Sequence, residues 1–242
     1  MKLGNFETNN VYLGDSYQLI KGLPDDSVDL VVCDPPYDIP HTQGGGGMLV
    51  EKGMTGMFEN LVNDKITEAF DFSILRELDR VMKKRNIYIW CNKLLLPKLF
   101  SYYEGSLFDL VTWHKTNAMP LCGSKYLSDT EYCLYIHDPL KLNTTYDTAK
   151  THYELPINLA DKKKFEHPTI KPMTIIENLI INSSDKGNVV FDPFLGSGTT
   201  AVAAKNLGRQ YIGFEINPKY HRIAQNRLNN VSATGQMSFL TL

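Results

Sequence analysis

Asp34-Pro35-Pro36-Tyr37 stands directly behind the apolar run Val28–Cys33. Neither proline has an N–H to give to a sheet ladder, so a strand ending at Cys33 stops there and the turn behind it is stiff. Such a turn holds the Asp34 carboxylate, the Pro35 carbonyl and the Tyr37 ring together at the strand's carboxyl edge. That is a fixed pair of hydrogen-bond acceptors beside an aromatic face. A planar ring carrying an exocyclic amino group offers the complement, two N–H donors and a π face. The alternative is a plain surface turn.

A second constellation lies near the other end of the chain. Val189-Val190-Phe191-Asp192-Pro193-Phe194-Leu195-Gly196-Ser197-Gly198-Thr199-Thr200 reads as a strand, a glycine turn and the start of a helix. Glycines at 196 and 198 would let a ligand approach the backbone. The helix runs through Ala201–Leu207 to Gly208, and the next strand, Tyr211–Phe214, ends in Glu215, 23 residues after Asp192. An acidic residue at that point is suited to ribose hydroxyls. Gly196-x-Gly198-x-x-Ala201 also satisfies the loose dinucleotide fingerprint, so these residues alone leave a nicotinamide dinucleotide open as the ligand. A turn that needs glycine only for close strand–helix packing is the third reading.

Six short apolar runs supply the frame: Val28–Cys33, Ile87–Cys91, Leu107–Trp113, Tyr132–Ile136, Val189–Phe191 and Tyr211–Phe214. None alternates with polar residues, which predicts buried strands of a parallel sheet. Helical spacing predicts a helix over Ser73–Lys84, a second opened by Pro172 and a third opened by Pro218 behind the N-cap Asn217. Strands alternating with helices give an open α/β sheet with helices on both faces, and ligands then bind beyond the carboxyl ends of the strands. Two stretches break the rhythm. Residues 38–65 carry Gly44-Gly45-Gly46-Gly47 and read as a glycine-rich loop; residues 137–166 are polar and rich in Asp, Thr, Lys and Asn.

At 242 residues, 43% hydrophobic and 21% charged, the chain fits one α/β domain. No apolar run reaches the roughly 18 residues that cross a bilayer, and the first residues lack the apolar core of a signal peptide, which predicts a cytoplasmic protein. Cys33, Cys91, Cys122 and Cys133 are widely spaced, giving no basis for a disulfide framework or a metal site. A net charge of −2 lends no electrostatic support to nucleic-acid binding, so that case rests on motifs.

Asp34-Pro35-Pro36-Tyr37 together with Asp192–Gly198 resembles the S-adenosylmethionine-dependent amino-methyltransferases of DNA. The catalytic tetrapeptide precedes the cofactor loop, which is similar to the permuted order of their β class. Leu13-Gly14-Asp15, Trp113-x-Lys115-x-Asn117, His167-Pro168-Thr169-x-Lys171-Pro172 and Tyr211-Ile212-Gly213-x-Glu215 match the family in order, so the resemblance spans nearly the whole chain. It implies one Rossmann-like domain with circularly permuted motifs, S-adenosylmethionine as cofactor, no metal, and double-stranded DNA as partner. It implies a catalytic set of Asp34, Pro35, Pro36 and Tyr37. Around the cofactor it places Phe194, Gly196, Ser197, Gly198 and Thr199, with Asp192 near the amino acid moiety, Glu215 at the ribose hydroxyls and Asp15 at the adenine amine. His167, Thr169 and Lys171 fall in the segment used beside the methionine carboxylate.

The interval between Trp113 and His167, where the family inserts its target-recognition region, is short here; 137–166 is what remains for base readout, with Lys162, Lys163 and Lys164 expected on phosphate and 38–65 expected to order over DNA. A homodimer would suit a palindromic target, and a cognate restriction endonuclease acting separately is the natural companion. An Asp-first tetrapeptide leans to N6 of adenine, with N4 of cytosine as the near alternative. RNA or protein glutamine as substrate, an oxidoreductase using a dinucleotide, and a catalytically idle DNA-binding protein explain fewer of the residues.

Overall fold

Leu30-Val31-Val32-Cys33 has no residue that prefers water, and all four are buried. A strand of this kind is stable only with a layer on each face, and its alternating side chains supply two separate cores. Val31 and Cys33 point into one core with Ile87, Ile89, Phe191 and Phe214. Leu30 and Val32 point into the other with Tyr88, Trp90, Val190 and Tyr211.

The computed structural model describes residues 1–36, 70–118, 126–165 and 170–230. A short hairpin of β1 (Lys2–Leu3) and β2 (Phe6–Glu7) precedes β3 (Asn10–Leu13), α1 (Ser16–Leu19), a 3-10 turn (Ile20–Gly22) and β4 (Leu30–Cys33). Then come α2 (Ser73–Val81), β5 (Asn86–Cys91), α3 (Leu96–Tyr102), β6 (Leu107–Lys115), β7 (Thr130–His137), β8 (His152–Leu155) and α4 (Leu159–Lys164). The chain continues through α5 (Met173–Ser183), β9 (Val189–Asp192), α6 (Thr199–Asn206), β10 (Gln210–Glu215) and α7 (Pro218–Asn230). Eight strands form one sheet in the order β3-β10-β9-β4-β5-β7-β6-β8. Helices α2 and α3 cover one face through Ile74, Leu75, Leu78, Val81 and Leu99. Helices α5, α6 and α7 cover the other, with Ile175, Ile176 and Leu179 from α5, Ala201 to Ala204 from α6, and Ala224 and Leu228 from α7.

The sheet is mostly parallel, as the resemblance implied, with two corrections to the apolar runs. β6 and β7 run antiparallel to each other, and β7 runs antiparallel to β5. β6 and β7 are consecutive strands that lie side by side in the sheet, the arrangement in which antiparallel pairing is usual. β6 also begins in the open: Leu107 and Phe108 are about half exposed. The 137–166 stretch contributes β8, paired in parallel with β6 at the sheet edge, and α4.

Helix boundaries follow local chemistry. Asn217 accepts from the Lys219 N–H at 2.9 Å and caps α7 in front of Pro218. α2 stops at Val81, short of Lys84, because Met82 turns extended to bridge Val28 and the Lys83 N–H bonds to the Val28 carbonyl. α6 ends at a left-handed Gly208, whose N–H bonds to the Lys205 carbonyl. Among the described residues no helix is long and apolar enough to cross a membrane. Cys33, Cys91 and Cys133 are buried free thiols.

Candidate active site

Strand order reverses between β9 and β4. The chain leaves β9 through α6 toward β10, and leaves β4 through α2 toward β5 on the other side. At such a reversal the covering helices diverge and a crevice opens beyond the carboxyl ends. Four carboxylates stand there on four neighbouring strands. Glu215 and Asp192 are the last residues of β10 and β9, Asp34 directly follows β4, and Asp15 lies two residues beyond β3.

The turns that carry them are tied together. The Gly14 N–H donates to the Glu215 carbonyl at 2.9 Å, the Leu195 N–H to the Phe214 carbonyl at 2.9 Å, and the Ser16 hydroxyl to the Pro193 carbonyl. Glu215 is buried, and each of its oxygens accepts a backbone N–H, from Gly196 at 2.6 Å and from Asn217 at 2.7 Å. The Asp15 side chain accepts from the Tyr17 N–H and caps α1. Asp192 accepts from the Phe194 N–H at 3.0 Å. Its burial pushes its pKa up to about 7; the hydrogen bonds from Thr200 and Phe194 hold it down, and the neighbouring Asp34 and Glu215 charges add to the rise.

Around the glycine turn, Phe194 joins an aromatic cluster with Tyr17 and Phe70, each 6.1 Å away between ring centroids. Arg227 of α7 braces the turn by donating to the Ser197 carbonyl at 2.8 Å, the Ser197 hydroxyl at 3.1 Å and the Thr199 hydroxyl at 3.2 Å. Gly196 and Gly198 both have positive φ, 55° and 87°. The sequence reading left open an approaching ligand or close packing as the reason for these glycines, and at Gly198 packing against protein is one such reason. A Cβ there would come within 2.8 Å of the Ala224 Cβ on α7. We expect Gly198→Ala to cost about 1–3 kcal/mol from backbone strain and overpacking, lowering the melting temperature by several degrees. A native melting temperature in that variant would mean that α7 yields freely.

Asp34 stands against a charge that sequence reading assigned elsewhere. The Lys171 ammonium, expected beside the methionine carboxylate, forms an ion pair with Asp34 and a second with Glu131, 3.2 Å away. Glu131 in turn meets Lys115 at 2.6 Å. Lys171 is buried and lies 5.2 Å from the centroid of the Trp90 ring. Burial alone would push Lys171 down, but the two carboxylates outweigh it and hold the ammonium above its usual range. Glu131 is driven to about 2: burial opposes its charge, and Lys171 and Lys115 overcome that. Asp34 moves the other way, up to about 6, through burial and the Glu131 charge, against the pull of Lys171. The two carboxylates differ because they share Lys171 while only Glu131 has Lys115 in contact.

Glu131 was not among the residues picked out from the sequence. The available signal was an acidic residue in a strand whose next five residues are Tyr132-Cys133-Leu134-Tyr135-Ile136. Pro35 is buried and Pro36 half-buried beside Asp34. Tyr37, His167 and Thr169, with the glycine-rich stretch 38–65, lie outside the described residues. No group of His, Cys, Asp and Glu suited to a metal ion occurs among the described residues.

The sequence profile of the DNA methylase family of N6 and N4 methyltransferases matches residues 28–226. The type II methyltransferase M2.LlaDCHI of Lactococcus lactis subsp. cremoris is 31% identical over 260 aligned positions, covering 95% of this chain and 93% of its own. M2.DpnII of Streptococcus pneumoniae is 28% identical, covering 91% of this chain and 89% of its own. Among solved structures, an M1.HpyAVI-SAM complex superposes with a TM-score of 0.65 at 24% identity, covering 91% of this chain and 99% of that one. The cytosine-N4-specific PvuII DNA methyltransferase superposes with a TM-score of 0.65 at 18% identity, covering 93% and 89%. Those two likenesses establish the fold, and the profile and sequence relatives add the lineage: the chain belongs to the DNA methylase family of N6 and N4 methyltransferases.

Proposed function

We propose that this DNA methyltransferase transfers the methyl group of S-adenosylmethionine to N6 of adenine within a short sequence of double-stranded DNA. The observation that carries the reading is Asp34, fixed on a Pro-Pro turn at the point where the strand order reverses, one strand away from Asp192.

The residues present fit the cofactor. An ammonium, ribose hydroxyls and an adenine amine are all hydrogen-bond donors, and the crevice presents Asp192, Glu215 and Asp15 as acceptors on adjoining strands. Asp192 would hold the ammonium, Glu215 the ribose hydroxyls and Asp15 the adenine amine. When bound, S-adenosylmethionine supplies a methyl carbon on a sulfonium leaving group. What the chain must add is geometry and charge. The target amine lies inside the duplex stack, so its base must be flipped out to reach Asp34. Its lone pair is delocalised into the ring, which makes it a weak nucleophile. Asp34 and the Pro35 carbonyl accept its two N–H groups, favour the pyramidal nitrogen and stabilise the positive charge that grows on it during attack. Tyr37 would stack on the flipped base, and the ties between the turns hold the attack line.

The edge segment 137–166 supplies base readout in this proposal, with the lysines of α4 on phosphate. A palindromic target would be met by a homodimer, with a cognate endonuclease acting separately. Expression in a methylation-deficient host, followed by single-molecule sequencing of the DNA, tests the reading. N6-methyladenine in one short sequence context is expected. N4-methylcytosine would move the substrate to the other branch of the family, and unmodified DNA from a folded, S-adenosylmethionine-binding protein would overturn the proposal.

A further inference from the structure

Four charged side chains form a chain of alternating sign across the sheet: Lys115, Glu131, Lys171 and Asp34. Each comes from a different place. Lys115 ends β6, Glu131 lies in β7 opposite Trp113 of β6, Lys171 sits just ahead of α5, and Asp34 follows β4. Alternation along β7 puts Glu131 on the same face as Cys133 and Tyr135, the face that α5 covers. Lys171 is only 6% exposed, so its ammonium is held by this arrangement and not by water.

We propose that Glu131 is a positioning residue for methyl transfer: by sharing Lys171 with Asp34 it keeps the Asp34 carboxylate electrostatically available to the target amine. The inference rests on the reading of Asp34 as the acceptor of that amine. An ammonium paired with Asp34 alone would cancel its charge and weaken the stabilisation of the growing positive nitrogen. A second carboxylate on the same ammonium draws that charge away while leaving Lys171 to orient Asp34. Lys115 supplies the last positive charge, so the four groups sum to zero and can be buried together.

The groups that face Asp34 from the surrounding elements set how it titrates. Lys171 and Lys115 lower it, and Glu131 on β7 raises it. Asp192 on β9 faces it as well. The thiols Cys33, Cys91 and Cys133 also adjoin it, and burial pushes all three upward, so they stay neutral. Removing the Glu131 charge therefore moves Asp34 toward lower pKa, and removing the Lys115 charge moves it up.

The test is the single-turnover rate of methyl transfer against pH, with saturating S-adenosylmethionine and a duplex carrying the sequence found by mapping methylated bases. E131Q is expected to lower the plateau rate by about tenfold or more while its acid limb shifts to lower pH. E131D should recover most of the rate. K115M should shift the acid limb to higher pH, which keeps the inference testable if E131Q fails to fold. A folded E131Q with native rate and native acid limb would overturn it, as would limbs that move in the same direction in E131Q and K115M. Those failures differ from failure of the underlying reading, in which the native enzyme itself would methylate no exocyclic amine.

Discussion

Asp34→Ala should reduce methyl transfer by roughly 10²–10⁴-fold while S-adenosylmethionine binds within a few-fold of its native affinity. The rate falls because the variant leaves the amine only the Pro35 carbonyl as an acceptor and removes the negative charge beside the reacting nitrogen. The fold should tolerate the change. Lys171 keeps its ion pair with Glu131, which limits the cost of leaving the cluster with one positive charge in excess. Ionised Asp34 is itself a burden on the folded state. Its pKa is raised to about 6 by burial first, so the stability linked to its proton is present below the unfolded value near 4 and is lost as pH rises through about 6. Near pH 8 the substitution removes a penalised charge, and the melting temperature should fall little. Asp34→Asn keeps a carbonyl acceptor without the charge and should lie between the two. Single-turnover rates with calorimetric cofactor affinities decide the matter. Retention of more than about a tenth of the native rate in the alanine variant would remove Asp34 from the acceptor role.

The same ionisation predicts the pH dependence. Asp34 stabilises the growing positive charge fully only when ionised, so the native rate at saturating cofactor should fall as pH drops through about 6.

What the sequence disclosed follows from which signals are local. Val189–Phe191 and Tyr211–Phe214 are legible because the middle of a strand buried on both faces takes mostly apolar residues, and Asp192 and Glu215 mark where it stops. Asn217-Pro218 gives the start of α7 because capping is decided by neighbours. The direction of β6 and β7 is not local: a mostly apolar run reads the same in a parallel or an antiparallel ladder, and only the pairing across the folded sheet tells the difference. β8 was passed over because His152-Tyr153-Glu154-Leu155 is an edge strand with two of its four residues facing water, a pattern too short and too polar to stand out. The Lys171–Asp34 pair joins residues 137 positions apart. Sequence shows that both charges exist, and folding alone brings them to one ammonium. The use of Gly198 is hidden for the same reason, since Ala224 is a neighbour only after α7 packs.

Glu215→Ala should weaken S-adenosylmethionine binding by about 10²-fold or more and also destabilise the free protein. Both effects come from one carboxylate. In the free protein its two oxygens accept the N–H groups of Gly196 and Asn217 at 2.6 and 2.7 Å, which fixes the glycine turn of β9 to the end of β10. Alanine leaves both N–H groups without that acceptor in a buried place, at about 1–3 kcal/mol each, and a chain of this size should melt several degrees lower. Binding loses more, because hydrogen bonds from ribose hydroxyls to a charged acceptor contribute about 1.5–3 kcal/mol each. Glutamine preserves the shape and one oxygen, but its amide N–H₂ faces either Gly196 or Asn217 donor to donor. Glu215→Gln should therefore bind better than the alanine variant and worse than the native chain. Calorimetric titration well below each melting temperature separates the two effects. If Glu215→Ala melted early yet bound S-adenosylmethionine within threefold of the native affinity, the carboxylate would be a brace for the turn and not a ligand to the ribose.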